Sequence, residues 1–88
     1  MGYAITIPPR VQKQLRDLTA YAYERIKPAI LNLAAEPRPS GCRKLRGRER
    51  EYRIKVGKHY RVRYTIDDAA YSLEVTFVGL RRDAYDDL

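Results

Sequence analysis

Apolar and polar side chains alternate in four segments of the chain, which is the pattern of strands that bury one face. The first segment begins at Tyr3 and ends at the Pro8-Pro9 pair, because proline lacks the backbone donor that a strand interior needs. The other three segments lie in the last third of the chain. Their apolar positions are Tyr52, Ile54 and Val56, then Tyr60, Val62, Tyr64 and Ile66, then Tyr71, Leu73, Val75 and Phe77. The alternation predicts an N-terminal strand and a C-terminal three-stranded antiparallel meander.

Between these strands the apolar residues recur at helical spacing. A first stripe includes Val11 and Leu15, and Pro9 suits the first turn of that helix. Thr19 is a good N-cap for a second helix that carries its own apolar stripe. Pro28 lies inside this second helix, so we expect either a kink before Pro28 or a later helix start.

These elements predict a single α+β domain over residues 1–88. Its order is an N-terminal strand, a two-helix hairpin, the three-stranded antiparallel meander and a short C-terminal segment, with the helices covering the apolar face of the sheet. The stretch between the helices and Glu51 is rich in basic and turn residues, and we expect it to be a connector. Gly79 is expected to end the last strand.

The loop between the first two meander strands fixes which residues oppose each other. Directly opposed residues share a face of the sheet, so apolar positions must oppose apolar positions. A three-residue loop at 57–59 meets this condition, and it places Lys55 opposite Arg61 and Arg53 opposite Arg63. Like charges in direct opposition cost from a few tenths to about 1 kcal/mol per pair.

The second hairpin then separates supported cations from unsupported ones. The expected register places Arg63 opposite Glu74, as an ion-paired support, and Arg61 opposite Thr76, without an acidic partner. We therefore expect Arg61 to lie on an exposed sheet face and to hold an external anion such as a phosphate, which its planar fork binds through two hydrogen bonds. Arg53 fits either role.

Charge supports a polyanionic partner. The 88 residues include 18 Lys and Arg against 11 Asp and Glu, a formal net charge of +7. Residues 43–63 contain ten basic and two acidic side chains, a net charge of +8, so the rest of the chain carries −1. A block of one sign on a small domain indicates nucleic-acid binding more than it indicates a merely solubilising surface.

Several classes of protein do not fit the sequence. The apolar stretches are far shorter than the roughly 20 residues that span a bilayer, and the start of the chain has no signal-peptide pattern, so we expect a cytoplasmic protein without membrane contact. Cys42 alone forms no internal disulfide, and Cys42 with His59 makes no zinc ligand set. We expect neither a metal nor a cofactor.

The C-terminal segment adds further candidates. Arg81, Arg82 and Tyr85 follow the last strand and would lie beside the basic face if the chain turned back over it. Tyr85 belongs to no apolar stripe, and it could stack on a base, transfer a proton or simply pack the tail against the sheet. His59 falls in the hairpin loop with no evident partner, so we interpret it as a loop residue.

Short motifs follow one another in a definite order across nearly the whole chain. They are Glu36-Pro37-Arg38, Lys44-Leu45-Arg46-Gly47, Tyr52-Arg53-Ile54-Lys55-Val56, Tyr60-Arg61-Val62-Arg63-Tyr64 and Val78-Gly79-Leu80-Arg81-Arg82, then Tyr85. With two helices before a meander, this order resembles the RelE branch of the RelE/ParE toxin superfamily. A departure is Leu80, where many relatives carry histidine or lysine.

The resemblance implies a toxin that enters the ribosomal A site and cuts mRNA there without a metal, with the ribosome, its mRNA and a cognate antitoxin as partners. By motif position it implies catalytic roles for Lys55, Arg61, Arg81 and Tyr85. The side chains expected to bind RNA phosphates are Arg53, Lys44, Arg46, Arg48 and Arg82.

Two other functions stay open. A ParE-like toxin would share the fold and inhibit DNA gyrase without nuclease chemistry, although such proteins generally lack the Lys55, Arg61, Arg81 and Tyr85 set. A non-catalytic RNA-binding module would use the same basic face to grip the RNA backbone.

Overall fold

Two helices lie against one face of a five-stranded sheet in the computed structural model, which describes residues 2–48 and 50–84. The elements are β1 (Ala4–Thr6), α1 (Pro9–Arg16), α2 (Ala20–Asn32), β2 (Arg43–Lys44), β3 (Glu51–Val56), β4 (Tyr60–Asp67), β5 (Ser72–Leu80) and a 3-10 helix (Arg81–Asp83). The strand order is β1-β5-β4-β3-β2, which confirms the predicted α+β class. Within the described ranges, no helix has the length and apolar character needed to cross a membrane.

The sheet has two strands more than the predicted meander. β1 joins it by pairing in parallel with β5, with Ile5 beside Leu73, so the sheet is mixed and not purely antiparallel. β2 pairs Arg43 with Arg53 in a stretch where we expected only a connector. A strand of two residues is too short to show alternation, and this is why the pattern did not reveal it.

The helices begin as their caps predict. The Thr19 hydroxyl accepts a hydrogen bond of 3.1 Å from the Ala22 amide and caps α2. The alternative of a later helix start is wrong, because α2 begins at Ala20 and extends through Pro28. Glu24 and Pro28 are both exposed, so water can reach the side of the helix where the Glu24 carbonyl lacks its usual donor.

The core lies between the helices and the inner face of the sheet, and it contains most of the predicted apolar positions, but neither Phe77 nor the exposed Tyr71. Its largest fully buried side chains are Tyr64, Ile26, Ile30, Leu33, Val11, Val62 and Val75. The Tyr64 hydroxyl reaches the edge of the core and donates a 2.7 Å hydrogen bond to the Pro37 carbonyl. The polar end of this buried ring is therefore satisfied.

The first hairpin has the predicted register. β3 and β4 pair Lys55 with Arg61 and Arg53 with Arg63, on either side of a loop at residues 57–59. Two pairs of like charges therefore oppose each other directly, as the apolar alternation required.

The second hairpin does not have the predicted register. Ile66 opposes Leu73, and β5 contains one extra residue, so that Tyr64 opposes Val75 while Arg63 opposes Phe77. Such a bulge reverses which side chains face the core in the rest of the strand. As a result, Phe77 does not lie on the core face with Leu73 and Val75, and the buried Val78 takes that orientation instead. The strand β5 ends at Leu80 and not at Gly79.

Helix α1 covers the edge of β5 beyond the end of β1. The Gln14 side-chain oxygen accepts a 2.9 Å hydrogen bond from the Val78 amide. The Arg10 guanidinium donates a 3.0 Å hydrogen bond to the carbonyl of Thr76, the extra residue of the bulge. These two side chains occupy backbone groups that an edge strand would otherwise leave open.

Candidate functional site

The face of the sheet opposite the helices, called here the outer face, carries cross-strand rows of basic residues. One row consists of Arg43, Arg53, Arg63 and Phe77. The next row, nearer the 57–59 loop, consists of Lys55, Arg61 and Gly79. Strand register therefore gathers five cations on one surface, which gives this surface a positive potential suited to a polyanion.

Arg61 is buried within the outer face and not exposed on it. Arg61 is 5% exposed, and its Nη1 donates hydrogen bonds of 2.8 Å to the Tyr60 carbonyl and 3.4 Å to the Lys58 carbonyl. The expectation of an exposed Arg61 opposite Thr76 is wrong, because the register of the second hairpin and the β5 bulge together place Gly79 there. Its assigned role in holding a phosphate stays a prediction.

Arg63 is an ion-paired support, but Glu74 is not its partner. Its Nε donates a 3.0 Å hydrogen bond to Glu51, Nη2 contacts the same carboxylate oxygen, and both side chains are buried. The β4–β5 turn pairs Ile66 with Leu73, and this register sets Glu74 opposite Thr65, one row away. Glu51 also opposes Thr65, from the β3 side, and this makes it a diagonal neighbour of Arg63 on the outer face. The predicted register of the first hairpin therefore already places Glu51 close to Arg63.

Arg53 has unused hydrogen-bonding capacity. It lies in the arginine row between Arg43 and Arg63, and its Nε and Nη1 atoms are buried without a hydrogen-bond partner among the described residues. Buried donors are normally satisfied, and a guanidinium binds phosphate oxygens well. The geometry of Arg53 is therefore compatible with a phosphate ligand.

The hairpin end of the outer face also brings Arg81 close to the second row. The Arg81 amide donates a 2.7 Å hydrogen bond to the His59 carbonyl, which extends the pairing of β4 and β5 by one step. Lys55 and Arg81 are exposed. Three of the four predicted catalytic residues, Lys55, Arg61 and Arg81, therefore share one end of the outer face. The fourth, Tyr85, lies outside the described residues.

The residues predicted to bind RNA are more dispersed. Lys44 opposes Tyr52, so it belongs to the edge of the inner face and does not join Lys55. Arg46 is exposed and Arg48 is half-buried, in the loop between β2 and β3. Arg82 is exposed on the 3-10 helix. The structure therefore places only Arg53 of this group within the two outer-face rows.

A polar cluster that the sequence did not reveal attaches the connector after α2 to the turn after β4. Arg38 donates hydrogen bonds of 3.1 and 2.9 Å to the two carboxylate oxygens of Asp68, and the Tyr3 hydroxyl donates another of 2.6 Å. The Arg38 guanidinium also lies 5.0 Å from the centre of the Tyr52 ring. The bonds from Arg38, followed by that from Tyr3, lower the pKa of Asp68 to about 2.

The sequence model of the ParE toxin family, toxins of the type II toxin-antitoxin system parDE, matches residues 5–85. This chain belongs to that toxin family. A comparison with curated protein sequences gives no match.

Solved structures resemble the toxin over nearly its whole length. A free E. coli RelE variant with two arginines replaced by alanine is 28% identical, with a TM-score of 0.80 over 97% of this chain and 90% of that chain. RelE from Pyrococcus horikoshii, solved in complex with RelB, is 28% identical, with a TM-score of 0.79 over 96% and 100% of the two chains. The toxin of the intact E. coli RelBE complex is 29% identical, with a TM-score of 0.76 over 88% and 94%. These matches confirm the predicted RelE/ParE superfamily, and the structural similarity is to RelE.

Proposed function

We propose that the toxin is an endoribonuclease of the RelE type, which cuts mRNA in the ribosomal A site and so inhibits translation. The observation that carries the proposal is the direct opposition of Lys55 and Arg61 at the hairpin end, with Arg81 beside them at the end of β5. Opposed cations destabilise a sheet, so their presence favours a role in which an anion lies between them. The structural similarity to RelE toxins supports the same assignment.

The proposed reaction is attack of a ribose 2′-hydroxyl on its own 3′-phosphate. The new bond joins the 2′-oxygen to phosphorus while the bond to the 5′-oxygen breaks, which leaves a 2′,3′-cyclic phosphate and a free 5′-hydroxyl. The nucleophile belongs to the RNA, so the protein must stabilise charge on the phosphoryl oxygens and move two protons.

We assign each part of this reaction to particular side chains. Arg61 stabilises the phosphoryl group, and Lys55 with Arg53 shares that role or transfers a proton. Arg81 protonates the leaving 5′-oxygen or stabilises its charge. Tyr85 stacks on a base or acts as the general base. RNA phosphates around the cut are bound by Arg53, Lys44, Arg46, Arg48 and Arg82.

A cognate antitoxin is the proposed protein partner. RelE from P. horikoshii and RelE from E. coli were each solved bound to RelB. An antitoxin that covers the outer face or displaces the C-terminal segment would inhibit this toxin. The proposed target places the toxin in the cytoplasm.

Inhibition of DNA gyrase is the second candidate function, and the ParE name of the matching family favours it. Primer extension on translated mRNA, together with a gyrase cleavage assay, separates the alternatives. Site-specific cuts in translated mRNA support the nuclease. Intact mRNA with gyrase-dependent DNA breaks supports the second candidate, and RNA binding with neither activity supports a non-catalytic binding module.

A further inference from the structure

One buried guanidinium joins the outer face of the sheet to the C-terminal segment. Arg63 binds Glu51 through Nε and Nη2, and its Nη1 donates a 2.7 Å hydrogen bond to the carbonyl oxygen of Ala84. Arg63 is 4% exposed, Glu51 7% and Ala84 0%. The connection thus lies away from water, where a hydrogen bond fixes position most effectively.

We propose that Glu51 and Arg63 are positioning residues, which hold the segment of residues 81–84 in the place where Arg81 can act on RNA. This role rests on the proposed nuclease function. The carboxylate of Glu51 orients the guanidinium, and the guanidinium in turn holds the carbonyl of Ala84.

The segment is fixed at both of its ends. At the first end, the Arg81 amide bonds to the His59 carbonyl at 2.7 Å and extends the sheet. At the second end, Ala84 closes the 3-10 helix, with its amide 3.2 Å from the Arg81 carbonyl and its own carbonyl bound by Arg63. A short 3-10 helix has little stability of its own, so the second attachment decides whether the helix stays formed.

The ion pair alone does not explain this arrangement. A buried ion pair is weak evidence for stability, since apolar residues of similar volume often replace one without loss. No apolar side chain can donate a hydrogen bond to the Ala84 carbonyl, and a buried carbonyl without a donor favours opening of the segment. The position of the segment is therefore separable from the stability of the sheet.

The test is the double variant Glu51→Leu with Arg63→Met, which removes both charges and keeps the volume. We expect thermal unfolding within a few degrees of the wild type, with amide hydrogen exchange at Ala84 faster by about 10-fold or more while the amides of β4 keep their protection. We also expect kcat for mRNA cleavage on the ribosome to fall by about 10-fold or more at unchanged KM, because a displaced group loses catalytic alignment.

A matched control is Arg43→Met, which removes a cation from the same row without touching the segment. It should leave Ala84 exchange unchanged. If the first double variant does not fold, Glu51→Gln with Arg63→Gln retains a hydrogen-bonding pair that is too short to reach Ala84, and it carries the same expectation.

A folded double variant with wild-type Ala84 exchange and wild-type kcat overturns the positioning role. Exchange is measured on the free toxin, so it tests the attachment even if the wild type cuts no mRNA. In that case the proposed function fails and the attachment is judged by exchange alone.

Discussion

Arg61 lies directly opposite Gly79 across β4 and β5, at the hairpin end of the outer face. A Cβ atom on Gly79 would lie 2.8 Å from Cζ of Phe77, so the phenyl ring covers the glycine. The bulge at Thr76 creates this arrangement, because it turns Phe77 onto the outer face beside the arginines. A side chain at position 79 would therefore require the Phe77 ring to move.

Gly79→Ala tests that packing. The added methyl group forces the Phe77 ring to move, and we expect the free energy of unfolding to fall by about 1 kcal/mol or more. In a Phe77→Leu background the same substitution should cost much less. Chemical denaturation of the two single variants and the double variant measures this coupling. Equal costs in both backgrounds would show that Phe77 does not restrict position 79.

The contacts of Asp68 predict that the thermal stability of the protein depends on pH. Arg38 and then Tyr3 hold the pKa of its carboxyl at about 2, below its usual value of 3.8. A group with a lowered folded-state pKa stabilises the fold above its unfolded-state pKa, and this stabilisation is lost as pH falls through the folded value. Wild type should therefore unfold at a higher temperature than Asp68→Asn at pH 6, and the gap should narrow between pH 4 and pH 2. A gap that stays constant over this range would contradict the contact.

The backbone conformation of Arg50 predicts that replacement by glycine stabilises the protein. It has φ of 63°, in the left-handed region, and its carbonyl accepts a 3.0 Å hydrogen bond from the Ile66 amide. A non-glycine residue pays a steric cost there that glycine avoids. Arg50→Gly should raise the free energy of unfolding by a few tenths to about 1 kcal/mol, and Arg50→Val should lower it. Denaturant titration of both variants measures the difference, and a loss of stability in the glycine variant would contradict the strain.

Substitution of Lys55 tests the proposed nuclease site most sharply, because Lys55 is exposed and its replacement leaves the core intact. Lys55→Ala should lower the rate of mRNA cleavage by about 100-fold, the usual cost of one group that stabilises transition-state charge. Lys13→Ala is the control, since this exposed lysine on α1 pairs only at 3.7 Å with Asp17. Equal cleavage by the Lys55 variant and the wild type, with unchanged unfolding, would remove Lys55 from the site.

The first hairpin was predictable because its apolar alternation admits one loop length, and this also fixed Lys55 opposite Arg61. The second hairpin was not. Val75 and Phe77 look like successive positions of one stripe, but they flank the bulged residue, and the contacts from α1 that stabilise the bulge come from more than 60 residues away. The burial of Arg61 depends on that hairpin and was missed with it.

The local sequence pattern also could not predict that β1 pairs in parallel with β5. The alternation around Ile5 indicates a strand but carries no information on which strand lies beside it, since pairing with β5 brings together residues about 68 positions apart in sequence.

In the proposed reaction, the toxin uses the RNA's own 2′-hydroxyl to cut mRNA in the ribosomal A site. The most direct measurement follows mRNA on programmed ribosomes, with the cut mapped by primer extension and the upstream end analysed chemically. We predict a cut inside the A-site codon that leaves a 2′,3′-cyclic phosphate and disappears when the nucleotide on the 5′ side of the cut is 2′-deoxy. Uncut mRNA, or an equal cut in the 2′-deoxy message, would contradict it.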